Sequence, residues 1–295
     1  MNKKKKMSGA EVLFQVIACL IFGLLALICL YPFYYLFICT ISDNELVALG
    51  KVIFYPKGIH IDNYRKVLGV ENLGNATLIS ILKVVVGTVS RLLVTSYMAY
   101  FFTKQEMPGR KIFYRYVIAT MYFGAGLIPN YLNLRALGLL NSFWVYIIPG
   151  ILGVYNMVLV KTSMESLPAE LEESAFLDGA GYLTRLYRIV LPLQKPILAT
   201  IGLFSIVGLW NDYVTTKLYI TKPKLYTLQF LLYELLNRVS VLAAQEEHGR
   251  DEALQVTPFG IQMTLTAVVT IPIMCVYPFI QRYYVKGVMI GAVKG

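Results

Sequence analysis

Over 295 residues the chain is 57% hydrophobic and only 15% charged, with a formal net charge of +10. Water-soluble domains run near ~45–50% apolar and ~25% charged, so this composition excludes an ordinary soluble domain and describes an integral membrane protein. The positive excess reads as a signal of membrane topology and a contact with anionic lipid, and nothing in its distribution calls for nucleic acid.

A helix needs roughly 20 mostly apolar residues to cross a bilayer, because lipid offers an open backbone no hydrogen-bond partner. Six runs meet that condition, at about 12–41, 77–102, 112–128, 143–160, 197–216 and 261–284. They predict an all-α, polytopic fold with six transmembrane helices, built as one membrane domain over 1–295. The first run follows a basic leader, Lys3 to Lys6, yet it continues past Tyr31-Pro32-Phe33-Tyr34. A signal peptide's apolar region spans only ~7–15 residues, so the run is expected to remain as an uncleaved membrane helix.

Lys83 and Arg91 fall inside the second run. Ionisable groups in lipid are expensive and face a bundle interior or an aqueous path; snorkelling toward a membrane edge is the rival account. Cys19, Cys29, Cys39 and Cys275 all lie in predicted spans without metal-ligand spacing, and they read as small buried apolar residues. His60 and His248 stand alone in loops, so no metal site is expected.

Orientation follows from the basic residues. With the N-terminus in the cytoplasm, Lys3 to Lys6, the Lys104/Arg110/Lys111/Arg115 turn, Lys161, Arg185, Arg188 and Lys195, and Arg282, Lys286 and Lys294 all fall inside. That is the inside-positive pattern, and six spans return the C-terminus to the cytoplasm. Outside lie the long Tyr- and Asn-rich connections 47–66 and 218–255, a short amphipathic segment over 129–139, and a stretch over 225–241 whose apolar residues have near-helical spacing.

The segment 161–195 is a polar island between two apolar runs. Ser166 reads as a helix cap with Pro168 in the first turn, and Glu170, Glu172 and Glu173 sit where a helix dipole favours acid. Leu167, Leu171 and Ala175 share a face, Gly179 and Gly181 permit a turn, and Leu183, Leu186, Tyr187 and Val190 form the next stripe before Pro192. The prediction is a short helix-turn-helix on the inner membrane surface. Ser174, Ala175, Gly179 and Ala180 are small enough to admit another backbone closely, while Glu173 and Asp178 offer charge to basic groups opposite.

The order Glu173, Ser174-Ala175, three residues, Gly179, nine residues, Ile189, one residue, Leu191-Pro192 resembles the coupling loop of permease subunits of ATP-driven, ABC-type importers. Ser174 stands where the family pattern has Ala. Met107-Pro108-Gly109-Arg110, Trp210-Asn211-Asp212 and the closing 287–295 are similar to the carbohydrate-uptake branch with its maltose-type, six-span permease. The resemblance implies a subunit of the bacterial cytoplasmic membrane that pairs with a second permease, as a heterodimer, above two ATPase subunits, and receives sugar from an extracytoplasmic binding protein. It implies that Glu173, Ser174, Ala175, Asp178, Gly179, Ala180, Ile189, Leu191 and Pro192 couple the chain to an ATPase. It also implies that no catalysis and no cofactor belong to this chain, with ATP and Mg held by the partner ATPase. The tail 287–295 either reaches that ATPase or is a frayed end.

Trp210, Asn211, Asp212 and Tyr213 suit stacking on and hydrogen bonding to a sugar, and interfacial anchoring explains the same residues. With Lys83, Arg91, Tyr122 and Asn156 they make up the candidate substrate path. Two alternatives stay open at this point: an ion-coupled carrier of small solutes, and an ABC permease for a non-sugar solute. No phosphate-binding loop ending in Lys-Ser or Lys-Thr is present, so the chain does not bind ATP in that manner.

Overall fold

The computed structural model describes residues 9–246, 260–275 and 278. The region around His248, most of the sequence after Cys275 and the 287–295 tail lie outside the described residues. Every regular element among the described residues is helical. Those residues form two compact units, one drawn from residues up to Val70 and from Leu235–Val268, the other from Glu71–Glu234 and from Val269 onward.

The first unit is dominated by α1 (Gly9–Thr40), 32 residues long. Its apolar side chains are exposed all round, Phe14 at 73% and Phe22 at 70%, as they are on a helix whose solvent is lipid. Only the last turn, Ile38, Cys39 and Thr40, is buried. It packs with Val47 of α2 (Asn44–Ala48) and with Val52. A polar knot closes this end: the Asn44 and Asn63 side-chain amides exchange hydrogen bonds at 2.9 Å, Asn63 Nδ2 also donates to the Thr40 carbonyl, and Asp43 caps α2. Asn63 lies on α3 (Asp62–Leu68). Cys39 is buried as expected, but Cys19, Cys29 and Cys275 are exposed on their helices; in lipid an apolar thiol needs no protein neighbour.

The second unit is organised around α4 (Leu73–Thr103), which packs against α7 (Val154–Glu165) and α11 (Lys195–Asn211). Small residues let the helices approach: a Cβ on Gly87 would stand 2.7 Å from Leu209 Cδ1 and 3.3 Å from Ile147 Cδ1. One apolar core joins Ala99, Tyr100 and Phe102 of α4 to Met157, Val160 and Met164 of α7, to Leu186 and Val190, and to Ile201 of α11. Another joins Ile79 and Leu134 to Val145, Tyr146, Ile147 and Ile220.

The helices α1 and α4 are each long and apolar enough to span. Two bent pairs qualify together, the 3₁₀ turns Phe143–Gly150 with α7, bent by 50°, and Tyr182–Leu193 with α11, bent by 82°. The sequence run 261–284 begins as α14 (Gly260–Cys275), 16 residues by its bounds. The expected span 112–128 is not one helix: α5 (Arg110–Thr120) stops after 11 residues, and α6 (Leu127–Ala136) starts after a turn. Gly124 and Gly126 explain the break, Gly126 taking φ +81 before Pro129 sets the first turn of α6. The segment read as an amphipathic turn over 129–139 is largely α6. The helical spacing over 225–241 is realised as α13 (Leu228–Glu246), which follows α12 (Val214–Tyr219).

Candidate functional site

The acidic helix of the island 161–195 begins three residues later than its sequence suggests, its N-cap position falling at Ala169 instead of Ser166. Ser166 does not open a helix; it ends α7, its hydroxyl donating to the Ser163 carbonyl at 2.8 Å. The acidic helix is α8 (Glu170–Leu177), preceded by Ala169 with no side-chain cap. Its three glutamates occupy the first turn, where the dipole and open N–H groups favour negative charge.

The helix closes through a Schellman motif. Gly179, at φ +79, donates its N–H to the Phe176 carbonyl at 3.0 Å, and Ala180 donates to the Ala175 carbonyl at 2.9 Å. A left-handed residue at that point fits glycine because a Cβ there crowds the backbone. α9 (Tyr182–Arg185) follows, then a π-turn over Leu186–Val190, then α10 (Leu191–Leu193). The widening directly precedes Pro192, whose ring lacks an N–H and presses on the carbonyl of residue 188. Gln194, 2% exposed, sits at the 82° bend and ties it to α7: Nε2 donates to the Ser163 carbonyl at 3.1 Å and Oε1 accepts from the Ser163 hydroxyl.

Of the residues expected to couple, Glu173, Ser174, Asp178, Gly179 and Pro192 are exposed; Ala175, Ala180, Ile189 and Leu191 are half-buried. Around them Leu171, Phe176, Leu177 and Leu183 also face outward, Leu177 at 85%. That surface is apolar with an acidic rim. Sequence reasoning passed over the residue that anchors it. Glu172 Oε2 accepts from the Tyr100 hydroxyl at 3.0 Å, pairs with Lys104, and lies 3.9 Å from Arg185 Nη1. Arg185 in turn lies over the rings of Tyr182 and Phe176. Next to this knot the Tyr182 hydroxyl donates to Glu106 at 2.9 Å; that bond, after a backbone N–H bond, holds the Glu106 carboxyl below its usual range.

The path candidates sort into four settings. Lys83, 1% exposed, donates from Nζ to the Asp212 carbonyl at 2.7 Å and to its carboxylate at 2.8 Å, and lies 4.7 Å from the centre of the Tyr146 ring. Arg91 interacts through space with the same carboxylate. Asp212 Oδ1 also accepts from the Thr215 N–H, starting α12. Trp210 is buried at 9% with its indole N–H spent on the Val269 carbonyl at 3.1 Å, an interior packing role. Tyr213 stacks on Tyr233 with centroids 4.5 Å apart, and Tyr233 continues toward Phe230. Lys217 lies over the Tyr233 ring and donates to its hydroxyl, which raises the Lys217 pKa. Asn211 is exposed, Tyr122 is 74% exposed in the turn before α6, and Asn156 sits in the first turn of α7 against Gly153. These three take no part in the Lys83–Asp212 cluster. Among the described residues no group of acidic, His and Cys side chains could hold a metal ion.

Residues 91–290, a stretch that contains the whole island and the Asp212 region, match the family described as binding-protein-dependent transport system inner membrane component. The chain belongs to this family. The permease is 35% identical to Protein LplC of Bacillus subtilis strain 168, over 96% of this chain and 95% of that one. It is 34% identical to the polygalacturonan/rhamnogalacturonan transport system permease protein YtcP of the same organism, over 94% and 97%. Among solved structures it is similar to a bacterial ABC transporter involved in the import of the acidic polysaccharide alginate, with TM-score 0.84, 29% identity, and coverage of 95% and 100%. Membership makes the chain a multi-pass membrane subunit of an ATP-driven importer. ATP hydrolysis belongs to a separate subunit, and the ion-coupled carrier is set aside.

Proposed function

We propose that this permease is one of two unlike membrane subunits of an importer for oligosaccharides, with six spans, both termini in the cytoplasm, and the island 161–195 seated on an ATPase subunit. The observation that carries this reading is the α8 surface. Exposed Leu171, Phe176, Leu177 and Leu183 with Glu173 and Asp178 at their edge have the make-up of an interface, an apolar centre inside a charged rim. Gly179 holds that surface at a fixed angle to α9. ATP and Mg act on the partner, and an extracytoplasmic binding protein delivers cargo; ATP-driven closure below and loaded receptor above then bias one rigid-body switch. The oligosaccharide cargo is supported by the names of the relatives.

The test is a complex of this chain with its second permease and ATPases. Gly179→Val places a β-branched side chain at φ +79, which costs about 1–2 kcal/mol locally. ATP hydrolysis stimulated by loaded binding protein should then fall at least about fivefold, a typical allosteric coupling factor, with the complex still isolable. Unchanged stimulation in both Gly179→Val and Glu173→Ala would remove the coupling role.

A further inference from the structure

Among the described residues, the middle of α4 holds more positive charge than the groups around it balance. Lys83 and Arg91 face a single carboxylate, Asp212, among the described residues whose interactions reach them. Asp212 is already engaged by Lys83 through two hydrogen bonds to the same Nζ. Arg91 lies eight residues further on, about 12 Å along the helix axis. Among the described residues its Nε is buried with no hydrogen-bond partner, and one turn earlier Thr88 Oγ1 is likewise buried without one. Both belong to a helix long and apolar enough to span a membrane, where a charge lacking a counter-ion is costly and marks function by default.

The fold makes room for the guanidinium. A Cβ on Gly150 would stand 2.6 Å from Arg91 Nη2. Gly150 ends the 3₁₀ turns at the 50° bend before α7, so Arg91 lies against a broken helix. Broken helices inside transport proteins expose backbone groups that contact cargo.

Resting on the oligosaccharide reading above, we infer that Arg91 receives the carboxylate of an acidic, uronate-containing sugar as it passes α4 and the bend at Gly150. A planar guanidinium takes a carboxylate through two parallel hydrogen bonds. With it bound, two cations face two carboxylates and the charge is balanced; a neutral sugar leaves it open.

The experiment uses the full complex in phosphatidylcholine nanodiscs, with trigalacturonate as probe and its methyl ester as the uncharged control of the same shape. The acid should bind at least about tenfold tighter than the ester, as expected of a charge-assisted pair. Arg91→Gln should erase that preference, Arg91→Lys should keep part of it, and Gly150→Ala, which crowds Nη2 and keeps the charge, should weaken it. Equal binding of acid and ester, or a preference that survives Arg91→Gln, overturns the inference. So does loss of assembly in both Arg91 variants, which would make the guanidinium a structural counter-ion. Binding of phosphatidylglycerol that depends on Arg91, without binding of trigalacturonate, assigns the charge to lipid and overturns it too. Failure of the broader reading is a separate result: neither trigalacturonate nor its methyl ester would bind.

Discussion

Replacing Glu172 by alanine should uncouple transport from ATP hydrolysis more strongly than replacing its exposed neighbour Glu173. The carboxylate of Glu172 gathers Tyr100 and Lys104 from the end of α4 and Arg185 from α9, on one oxygen. It is therefore the link between α8 and the helix that packs against α7 and α11. Lys104 and Arg185 are 12% and 8% exposed in their side chains, so alanine also takes from two largely buried cations the carboxylate that contacts them directly. Uptake per ATP hydrolysed should drop about tenfold or more, within the usual range of coupling energies. Glu172→Gln, which can still accept from Tyr100, should fall between the two. Reconstituted vesicles reporting both uptake and hydrolysis make the comparison. An unchanged ratio in Glu172→Ala would show that force does not travel through this knot.

Replacing Lys83 by methionine should be the most destabilising single change in the second unit. It removes a side chain that is 1% exposed and takes away both hydrogen bonds that tie α4 to Asp212, leaving that carboxylate, 28% exposed, only its through-space interaction with Arg91 among the described cations. Removing one partner of a buried pair costs about 3–5 kcal/mol, and the partial exposure of Asp212 points to the lower end. Adding Asp212→Asn should recover most of the loss, since Asn retains an oxygen for the Thr215 N–H that starts α12. Thermal unfolding of the purified chain in detergent reads both effects. A loss confined to Lys83→Met and unrelieved in the double variant would mean that packing, not charge, holds this site.

Apolar content is why the long helices could be read from the sequence, and motif spacing is why the island could. α1 and α4 follow their runs within a few residues, and Gly179 takes the left-handed turn that its place after α8 foretold. The third run misled because hydropathy carries no information on backbone angle, and Gly124 and Gly126 break it from within. Among Glu170, Glu172 and Glu173, composition could not say which one faces α4. That depends on helical phase, and the helix starts at Glu170 rather than near Pro168. Lys83 and Asp212 were each singled out alone; their partnership spans 129 residues of chain and needs the fold to appear. Trp210 shows the opposite limit, since a residue type suited to sugars is used here to pin α14.

The π-turn over Leu186–Val190 sets how α8 is aimed. Each such turn holds one residue more than an α-turn, and one residue corresponds to about 100° of rotation about the axis. Deleting a single residue there would restore the tighter winding and swing everything before it through that angle, pointing Phe176 and Leu177 away from where they now look. The segment thus fixes a compass bearing by counting residues, and chains that differ in length at this spot would present a different side to whatever lies beneath.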